Sequence, residues 1–458
     1  MDKKVGIIGA GVGGIYCAYE LVHNGFTGKI VIYEAGNDLT QRSTCPISLG
    51  KTDKCVNCKY CSIMSGFGGA GAFSDGKYNI TNDFGGTLYN VVGKETALDL
   101  MKYVDKINMS YLTDCGKYFP IWYTNDKIGK VCLQNNLHLL NNMVRHIGTD
   151  MNHVMLSGIR QTLIESGVEF RFNTRVESFS QSITHDTRNY VVLTDKGDVD
   201  TVDYLVVSTG RVGSAWVNEM CNYLGIKTFS RDVDIGVRVE LPYDVWSHIT
   251  DEVYEGKIVY RTKTYQDNVR TFCMNPHGEV VLENTHGIIT VNGHSYHDEE
   301  DGTENTNFAL LVSNHFTEPF NNSTEYGESI AKLSNMLGGG VIVQRFGDLI
   351  RGQRSTQSRI DKGFVKPTLS ATAGDLSLVL PKRILDDIIE MIYALDKIAQ
   401  GTASDDTLLY GVEVKFYNTI IDNNIPNLFF VGDCSGFTHS LSQASAHGVY
   451  VAREIFKK

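Results

Sequence analysis

An apolar strand, a glycine turn, a helix and a second apolar strand are predicted at the start of the chain. Residues 5–8 are apolar apart from one glycine, and the segment from Ile15 to Val22 carries apolar residues at helical spacing. Residues 30–33 form a second apolar run, which ends at Glu34. Elements of this kind and order predict a βαβ unit with two buried, parallel strands.

Two later apolar runs are typical of further strands in the same parallel sheet. Residues 204–210 and 428–433 begin with apolar side chains and end in small or acidic residues, where a cofactor can approach the carboxyl end of a strand. Between residues 215 and 363 apolar and polar positions alternate, as in 233–240, which favours an antiparallel sheet. The chain is therefore expected to be an α/β protein with a mainly antiparallel β domain inserted into it.

The composition is that of an ordinary soluble globular protein. The chain has 458 residues, 42% hydrophobic and 21% charged, which is enough for two or three domains. Its formal net charge of −11 disfavours bulk binding to nucleic acid. We find no apolar run of membrane-spanning length, and the chain enters a core strand too early for a cleaved signal peptide to precede it. The expected location is the cytoplasm.

The turn after the first strand has the spacing G-x-G-x-x-G, with glycines at Gly9, Gly11 and Gly14. In this pattern the first glycine permits a tight turn, the second admits a pyrophosphate, and the third lets helix and strand pack closely. The following helix N-terminus offers free N–H groups and a partial positive charge to the phosphates. Glu34 lies about twenty residues further on, where a carboxylate binds ribose hydroxyls. This unit is predicted to bind an ADP-containing dinucleotide.

A cysteine cluster follows in the next polar loop. Cys55, Cys58 and Cys61 have the spacing C-x2-C-x2-C, and Cys45 lies upstream of them beside Pro46. Four thiolates are the number that a [4Fe–4S] cluster or a tetrahedral zinc ion requires. The alternative is a set of plain thiols in a loop near a redox cofactor. If a metal is bound, iron–sulfur is favoured over zinc because a redox cofactor is expected nearby.

Three further segments rich in glycine or small residues predict close approach to a cofactor. Residues 66–71 contain four glycines, which suits a loop whose backbone passes close to a ring or a phosphate. Asp433 follows the last strand and can accept a hydrogen bond from a ribityl hydroxyl. Residues 442–448 begin the last helix with small side chains, so that a ligand can lie against its N-terminus.

Together these segments resemble FAD-dependent oxidoreductases of the glutathione-reductase-like type. More narrowly, they resemble a poorly characterised bacterial family of FAD-dependent dehydrogenases, or NAD(FAD)-utilizing oxidoreductases. The resemblance implies FAD as the cofactor. It also implies a Rossmann-like FAD-binding domain, with a parallel sheet and a three-stranded meander, and an inserted, mainly antiparallel β substrate domain. The segments that carry it are the G-x-G-x-x-G unit with Glu34, Cys45-Pro46 with 55–61, 66–77, 208–210, 272–280, 291–295 and Gly432-Asp433.

Domain limits and cofactor-binding residues follow from the patterns and the resemblance together. The FAD-binding domain is expected at 1–90, 149–214 and 364–458, with a helical insertion or cap at 91–148 and the substrate domain at 215–363. The predicted FAD-binding residues are Gly9, Gly11, Gly13, Gly14, Glu34, Ala35, Arg42, Gly68, Gly69, Ala70, Val176, Thr209, Gly210, Gly432, Asp433, Gln443 and Ala444.

The expected function is that of an FAD-dependent oxidoreductase, a dehydrogenase or an oxidase. It would exchange a hydride or two electrons between a small-molecule substrate and flavin N5, with an unidentified external electron acceptor. His439 is the first candidate for a catalytic base or donor, because it follows the last cofactor turn and imidazole titrates near neutral pH. His277 and Lys77 are the other catalytic candidates.

Two alternatives stay open at this stage. One is oxidation of an amine or amino-acid C–N bond on an anionic or nucleotide-linked substrate, suggested by the basic stretch at 344–366, which is equally compatible with a solvated face. The other is a flavin and iron–sulfur component that transfers electrons or senses redox state through a partner protein. The cysteine cluster suggests this second alternative.

Overall fold

The computed structural model describes residues 3–52, 56, 58–113, 115–184, 187–285, 287–295, 302–317, 319–320 and 322–457. The chain divides into two compact units. The parallel-sheet unit consists of Met1–Pro120, Arg145–Ser230 and Tyr417–Lys458. The antiparallel-sheet unit consists of Ile121–Val144 and Arg231–Phe416.

The strands and helices are numbered in chain order. The strands are β1 (Lys4–Ile8), β2 (Lys29–Tyr33), β3 (Lys77–Asn79), β4 (Ile121–Tyr123), β5 (Leu137–Leu139), β6 (Met143–His146), β7 (Glu169–Arg171), β8 (Val176–Thr184), β9 (Thr187–Thr194), β10 (Val199–Val202), β11 (Tyr204–Val207), β12 (Lys227–Phe229), β13 (Val233–Pro242), β14 (Ile258–Arg261), β15 (Asn268–Asn275), β16 (Glu279–Thr285), β17 (Ile288–His294), β18 (Asn305–Asn314), β19 (Ile342–Arg345), β20 (Thr372–Ala373), β21 (Leu408–Lys415), β22 (Ile420–Asp422) and β23 (Leu428–Phe430). The α-helices are α1 (Val12–His23), α2 (Tyr89–Val92), α3 (Lys94–Ser110), α4 (Asp126–Gln134), α5 (Thr149–Glu165), α6 (Ser214–Leu224), α7 (Tyr243–Thr250), α8 (Ser323–Gly338), α9 (Phe346–Ile350), α10 (Gln357–Lys362), α11 (Lys382–Asp396) and α12 (Leu441–Phe456).

A five-stranded sheet in the order β23-β11-β1-β2-β7 forms the centre of the parallel-sheet unit. Its strand pairs are all parallel, and the central strand β1 pairs with both β2 and β11. Helices α1 and α12 pack against each other, and Gly448 makes this approach possible because a Cβ there would lie 2.1 Å from the Gly13 carbonyl oxygen. The carboxyl ends of β1, β11 and β23 therefore meet at one edge of the sheet.

A separate antiparallel sheet in the order β10-β9-β8 belongs to the same unit. Its apolar side chains, among them Phe179, Tyr190 and Val192, share a core with residues of the parallel sheet such as Val31 and Leu205. This arrangement agrees with the expected mixed α/β fold containing a Rossmann-like domain.

The antiparallel-sheet unit is built on an eight-stranded sheet in the order β20-β19-β21-β13-β18-β15-β14-β5. One face is apolar, because every second residue of β13, including Val237 and Val239, is buried in a core with Ile388 and Ile392 of α11. The opposite face of β13 carries Gly236 and the charged residues Asp234, Arg238 and Glu240, which are also buried. A polar but buried sheet face is unusual, because charged side chains are rarely buried and then only with partners that satisfy them.

The limits of this unit differ from the expected substrate domain at 215–363. The unit continues to Phe416, because β21 pairs with β13 and β19, and α11 completes the core on the apolar face. The expected insertion at 91–148 is likewise divided between the units, with 91–120 in one and 121–144 in the other. Both differences arise from pairing between residues that are distant in sequence.

Within the described residues, no helix has both the length and the apolar character needed to cross a membrane.

Helix α11 contains one carboxyl group on its buried face. Asp387 is 0% exposed. Burial raises the pKa of Asp387 to about 6; Thr262 opposes this rise and the neighbouring Asp267 adds to it. Asp267 is held by Arg383, whose Nε and Nη2 donate to its two carboxylate oxygens at 2.5 and 2.7 Å. The folded protein therefore binds a proton at Asp387 at pH values where the unfolded chain has released it.

This raised pKa predicts a stability that falls as the pH rises from about 4 to above 6. The Asp387→Asn variant cannot ionise, and we expect it to unfold at a higher temperature than the wild type at pH 7.5. The upper limit of the gain is about 3 kcal/mol, and it should disappear near pH 4. Differential scanning calorimetry at several pH values measures it. The control is Asp386→Asn, which removes a half-buried carboxylate from the same helix; an equal pH-dependent gain in the control would contradict the assignment.

Candidate functional site

The glycines of the first turn are required by close backbone contacts. Gly9 has φ 100°, and a Cβ on it would lie 2.4 Å from the Ser208 carbonyl oxygen. A Cβ on Gly14 would lie 2.3 Å from the Gly9 carbonyl oxygen. Helix α1 begins after Gly11, and no side chain caps it, so its first N–H groups point out of the turn. This helix end offers hydrogen-bond donors and a partial positive charge to an anion.

Glu34 follows β2 and is tied to three backbone segments. Its Oε2 accepts a hydrogen bond from the Ala10 N–H at 2.8 Å, and its Oε1 accepts from Gly36 at 2.8 Å and Gly66 at 2.9 Å. The side chain is buried, with 7% exposure. Since a carboxylate has about four acceptor positions, one position is left for a ribose hydroxyl. Glu34 therefore holds both glycine loops together, besides the ribose contact predicted for it.

The second glycine loop, residues 65–73, lies directly on the first. Gly68 donates its N–H to the Ala10 carbonyl at 2.8 Å and forms a parallel bridge with Gly11. Gly68 and Gly69 have φ 86° and 58°, and a Cβ on Gly69 would lie 3.2 Å from the Gly11 Cα. Ala70 lies in the short 3-10 helix Gly69–Phe73 that follows. The predicted cofactor residues of both loops therefore form one surface.

Arg42 was predicted to bind the cofactor, and its side chain fixes the second loop from within. It is 0% exposed, and four of its N–H groups donate to carbonyl oxygens of Ser62, Ile63, Phe67 and Gly69 at 2.6–2.9 Å. Burial lowers the pKa of Arg42 to about 10, which still leaves the guanidinium charged at neutral pH. Contact with a cofactor through the remaining donor stays a prediction.

The turns after β11 and β23 complete the same surface. A Cβ on Gly432 would lie 3.7 Å from the Ala444 Cβ, 3.8 Å from the Ser208 Oγ and 3.9 Å from the Gly13 Cα. A Cβ on Gly13 would lie only 2.8 Å from that same Oγ. Four segments distant in sequence thus meet where the N-terminus of α1 and the start of α12 approach each other.

Asn418, which sequence reasoning missed, joins these two turns. Its side-chain amide donates to the Asp433 carbonyl at 2.8 Å and to the Gly210 carbonyl at 3.3 Å. The Asp433 carboxylate accepts from the Thr438 hydroxyl at 3.2 Å and lies 3.9 Å from Arg211. A lone asparagine before a strand carries no recognisable signal in the sequence, so only the folded chain shows this role.

Buried polar atoms on this surface fit a bound nucleotide. The hydroxyls of Thr209, Ser442 and Ser445 are buried and have no hydrogen-bond partner among the described residues. Buried hydroxyls normally have partners, and a ligand is one way to supply them. Donors at the start of α1, the Glu34 carboxylate and these hydroxyls together match the phosphates, ribose and ribityl groups of a dinucleotide.

Gln443, another predicted cofactor residue, uses its amide to hold a neighbouring loop. Its Nε2 donates to the carbonyls of Thr81 and Phe84 at 3.2 and 3.0 Å, and its Oε1 accepts from Leu88 at 3.2 Å. Gly86 has φ 135° and allows this contact, since a Cβ there would lie 2.6 Å from that Oε1. In the sequence, the paired glycines at 85–86 could have indicated this loop. The last two predicted residues, Ala35 and Val176, follow Glu34 and begin β8.

Of the three catalytic candidates, His439 and Lys77 belong to the parallel-sheet unit and His277 to the other. His439 is half-buried, and its ring centroid lies 4.5 Å from that of Tyr417. His277 donates a hydrogen bond from its Nδ1–H to the Thr303 carbonyl at 2.9 Å, and its ring centroid lies 3.8 Å from that of Tyr243. Both of these contacts of His277 are with residues of its own unit. Catalytic roles for all three remain predictions.

Lys77 forms a buried ion pair, with its Nζ 3.0 Å from the Asp75 Oδ2. Burial alone would raise the pKa of Asp75, but the Lys77 and His146 charges outweigh it and hold that pKa below its usual range. The Asp75 carboxylate is therefore ionised at neutral pH, and Lys77 is held in one place beside it.

The cysteine cluster is only partly described, because Cys55 lies outside the described residues. Cys45 and Cys61 are half-buried and Cys58 is exposed, and all three are free thiols. Among the described residues, no three acidic, histidine or cysteine side chains form a group that could hold a metal ion. An iron–sulfur or zinc centre stays a prediction.

Several cations of the basic stretch at 344–366 are paired with neighbouring carboxylates. Arg345 pairs with Asp406, Arg351 with Asp405 at 2.5 Å, and Arg359 with Asp348 at 3.4 Å. Three of the six cations of the anion-binding patch considered from the sequence are thus paired with carboxylates.

Comparison with known sequences points to a flavoprotein. Residues 233–416 match the family described as FAD-dependent protein, C-terminal domain-like, and residues 7–61 match the NAD(P)-binding Rossmann-like domain. A protein of Clostridium beijerinckii described as uncharacterized is 26% identical over 482 residues, which cover 99% of this chain and 80% of that protein. These matches support an FAD-dependent oxidoreductase with a Rossmann-like domain.

Solved structures resemble the chain more distantly. A 2-methyl-3-hydroxypyridine-5-carboxylic acid oxygenase has 13% identity and a TM-score of 0.39, covering 100% of this chain and 82% of that one. Aklavinone-11 hydroxylase, in complex with FAD and aklavinone, has 11% identity and a TM-score of 0.41, covering 99% of this chain and 61% of that one. A putative FAD-containing monooxygenase from Photorhabdus luminescens has 13% identity and a TM-score of 0.40, covering 99% and 88%. At such scores the likeness indicates no particular reaction.

Proposed function

We propose that this protein is an FAD-dependent dehydrogenase or oxidase that exchanges a hydride or two electrons with a small-molecule substrate. The observation that carries the proposal is the convergence of Gly13, Ser208, Gly432 and Ala444 beside the uncapped N-terminus of α1. The match of residues 233–416 to FAD-dependent proteins supports FAD over other dinucleotides. When bound, FAD supplies hydride or electron exchange at its N5 atom.

In this proposal the residues of the chain bind and orient the cofactor. The first N–H groups of α1 bind the pyrophosphate, and the remaining acceptor position of Glu34 binds the adenosine ribose. Asp433 accepts from a ribityl hydroxyl, and the loops at 65–73 and 81–88 keep water from this surface. His439, half-buried next to the last cofactor turn, is the residue that we propose as the base or hydrogen-bond donor beside the flavin.

FAD binding tests the proposal directly. We expect the purified protein to bind FAD in a one-to-one ratio, measured by flavin fluorescence during titration. Gly13→Val should abolish binding, because its Cβ would lie 2.8 Å from the Ser208 Oγ and its methyl groups would fill the approach to α1. Gly129→Ala is the matched control, since no atom lies within 4 Å of a Cβ there. A wild-type protein that stays colourless with added FAD, while circular dichroism shows it folded, would refute the proposal.

The reaction class is then found by anaerobic reduction. FAD-loaded protein is mixed with amines, hydroxy acids, reduced nicotinamides or quinols, and loss of the visible flavin absorbance identifies the reductant. Oxidation of a C–N bond remains a second proposal, for which reduction by an amine is the supporting result. Electron transfer through an iron–sulfur cluster is a third, tested by iron and acid-labile sulfide analysis of anaerobically purified protein. The free thiols fit the reducing cytoplasm that we propose as the location.

A further inference from the structure

Helix α5 holds the second glycine loop, residues 65–73, through two of its buried side chains. Asn152 is 0% exposed, and its Nδ2 donates a hydrogen bond to the Gly71 carbonyl oxygen at 2.6 Å. Leu156 follows one turn later on the same face of the helix, and a Cβ on Gly68 would lie 3.0 Å from its Cδ1. The helix therefore contacts both halves of the loop.

The two halves of the loop are fixed by different side chains. Glu34 accepts a hydrogen bond from the Gly66 N–H, and Arg42 donates one to the Gly69 carbonyl, so both fix the first half. Asn152 supplies a side-chain hydrogen bond to the backbone of the second half. Backbone rich in glycine loses much conformational entropy when it is ordered, so the loop keeps one position only where such contacts hold it.

The carbonyl that Asn152 holds belongs to the part of the loop nearest to two helix N-termini. A Cβ on Gly71 would lie 2.9 Å from the Leu441 Cδ2 and 3.2 Å from the Val12 Cγ1. Val12 is the first residue of α1, and Leu441 is the first residue of α12. These are the helix ends beside which we propose that the cofactor binds. A displaced Gly71 would therefore change the shape of the surface that the loop and the two helices offer to the cofactor.

A buried tyrosine orients the Asn152 amide. The Tyr78 hydroxyl donates to the Asn152 Oδ1 at 3.3 Å, while Nδ2 donates to Gly71. Behind this pair, the Tyr16 hydroxyl donates to the Asn108 Oδ1, and the side chains of all these donors and acceptors are at most 1% exposed. Burial raises the pKa of both tyrosines, so at neutral pH each hydroxyl keeps the proton that it donates.

We propose that Asn152, oriented by Tyr78, is a positioning residue for the cofactor, which fixes the second half of the glycine loop where FAD binds. This inference rests on the proposed function and adds to it a residue 81 positions from Gly71 in the chain. Without the amide, Glu34 and Arg42 still hold the first half of the loop, but FAD has to order the second half when it binds. Ordering a loop on binding costs free energy and weakens the complex.

Release of FAD from the loaded protein tests the inference. Leucine has the branched shape of asparagine but no donor, so Asn152→Leu should release FAD about tenfold faster than the wild type. The release rate is measured as the change in flavin fluorescence after dilution. If circular dichroism shows that Asn152→Leu does not fold, Asn152→Ala is measured in its place.

Leu163→Ala is the matched control. Leu163 is also 0% exposed and lies on the same helix, about 16 Å along its axis from Asn152. Loss of its side chain opens a cavity in the core and should lower the thermal stability. The rate of FAD release should nevertheless stay within about twofold of the wild-type rate, because distant sites act independently.

Hydrogen exchange followed by mass spectrometry observes the loop itself. In FAD-loaded Asn152→Leu, peptides that contain residues 65–73 should exchange several times faster than in the wild type. Peptides of β1 and α1 should keep their wild-type rates, because local opening of the loop does not unfold the sheet. A residue that only supported the fold would instead accelerate exchange throughout the parallel-sheet unit.

A double variant tests the role of Tyr78. Tyr78→Phe should speed FAD release by about two- to threefold, because its hydrogen bond of 3.3 Å is long and the bond from Nδ2 to Gly71 remains. In the Asn152→Leu background it should have no further effect, since residues that act through one another are not additive. The same effect in both backgrounds would contradict the role of Tyr78.

Three results would overturn the inference. These are equal rates of FAD release from the wild type and Asn152→Leu, an equal acceleration in Leu163→Ala, or faster exchange spread over the whole parallel-sheet unit. FAD content is measured for every variant. FAD-loaded variants that behave like the wild type remove only this inference, whereas a wild type that takes up no FAD removes the proposed function.

Discussion

Glu413→Gln is expected to lower the free energy of unfolding by about 3–5 kcal/mol. Glu413 accepts two hydrogen bonds from Arg238, at 2.7 Å from Nε and 2.8 Å from Nη2, and their side chains are 3% and 0% exposed. With a neutral amide at position 413, the buried guanidinium would keep its charge without a counter-charge. Urea unfolding followed by circular dichroism and by tryptophan fluorescence measures the loss.

Two further variants separate the ion pair from general damage. Asp405→Asn breaks the exposed pair with Arg351, whose side chains are 53% and 56% exposed, and should cost less than about 1 kcal/mol. The double variant Arg238→Met with Glu413→Leu removes both buried charges and should recover a substantial part of the stability lost in Glu413→Gln. If Glu413→Gln and Asp405→Asn lower the free energy of unfolding equally, the loss in Glu413→Gln does not come from the buried charge of Arg238.

Replacing Glu34 by Gln should weaken FAD binding by about 100-fold, because charge-assisted hydrogen bonds are worth about 1.5–3 kcal/mol each. The amide of a glutamine has one acceptor oxygen, whereas Glu34 accepts from Ala10, Gly36 and Gly66 and keeps a position for the ribose. Its NH₂ group would also oppose one of those N–H donors. Flavin fluorescence titration of the variant measures the change in dissociation constant.

Asp38→Asn is the matched control for Glu34→Gln. Asp38 is a nearby carboxylate that pairs with Arg160 and caps the short 3-10 helix at Leu39–Gln41. Its loss should lower thermal stability slightly and leave the FAD affinity within about threefold of the wild type. Wild-type FAD affinity in Glu34→Gln would mean that the glycine loops hold the nucleotide without this carboxylate.

Parts of the fold and of the candidate site were predictable because their physical causes are local. The G-x-G-x-x-G turn, the helix after it and the acid after β2 are adjacent in sequence, and their spacing alone predicts a dinucleotide site. The alternating pattern of 233–240 predicted a strand of an antiparallel sheet, and β13 is that strand. The antiparallel-sheet unit extends beyond the domain limit predicted at 363, because β21 pairs with this sheet and α11 packs against it from later in the chain.

The partners of charged side chains were not predictable in this way. The sequence did not indicate that four donors of Arg42 bind carbonyls up to 27 residues away, and its predicted contact with a cofactor stays a prediction. In the sequence the arginines of 344–366 suggest an anion site. In the folded chain Asp405 and Asp406 pair with two of them. Conversely, Lys257, Arg270 and Lys415 are far apart in sequence, and only the folded chain brings them to 4.1–4.9 Å from the Phe272 ring centroid.

The sequence by itself determined the βαβ unit, the glycine turns and the separate antiparallel domain, because backbone sterics and hydrophobic periodicity act between near neighbours. Only the tertiary structure decided which charged side chains pair with each other, because an ion pair depends on distance in space. The Arg238–Glu413 pair, 175 residues apart in the chain, depends wholly on that second kind of information.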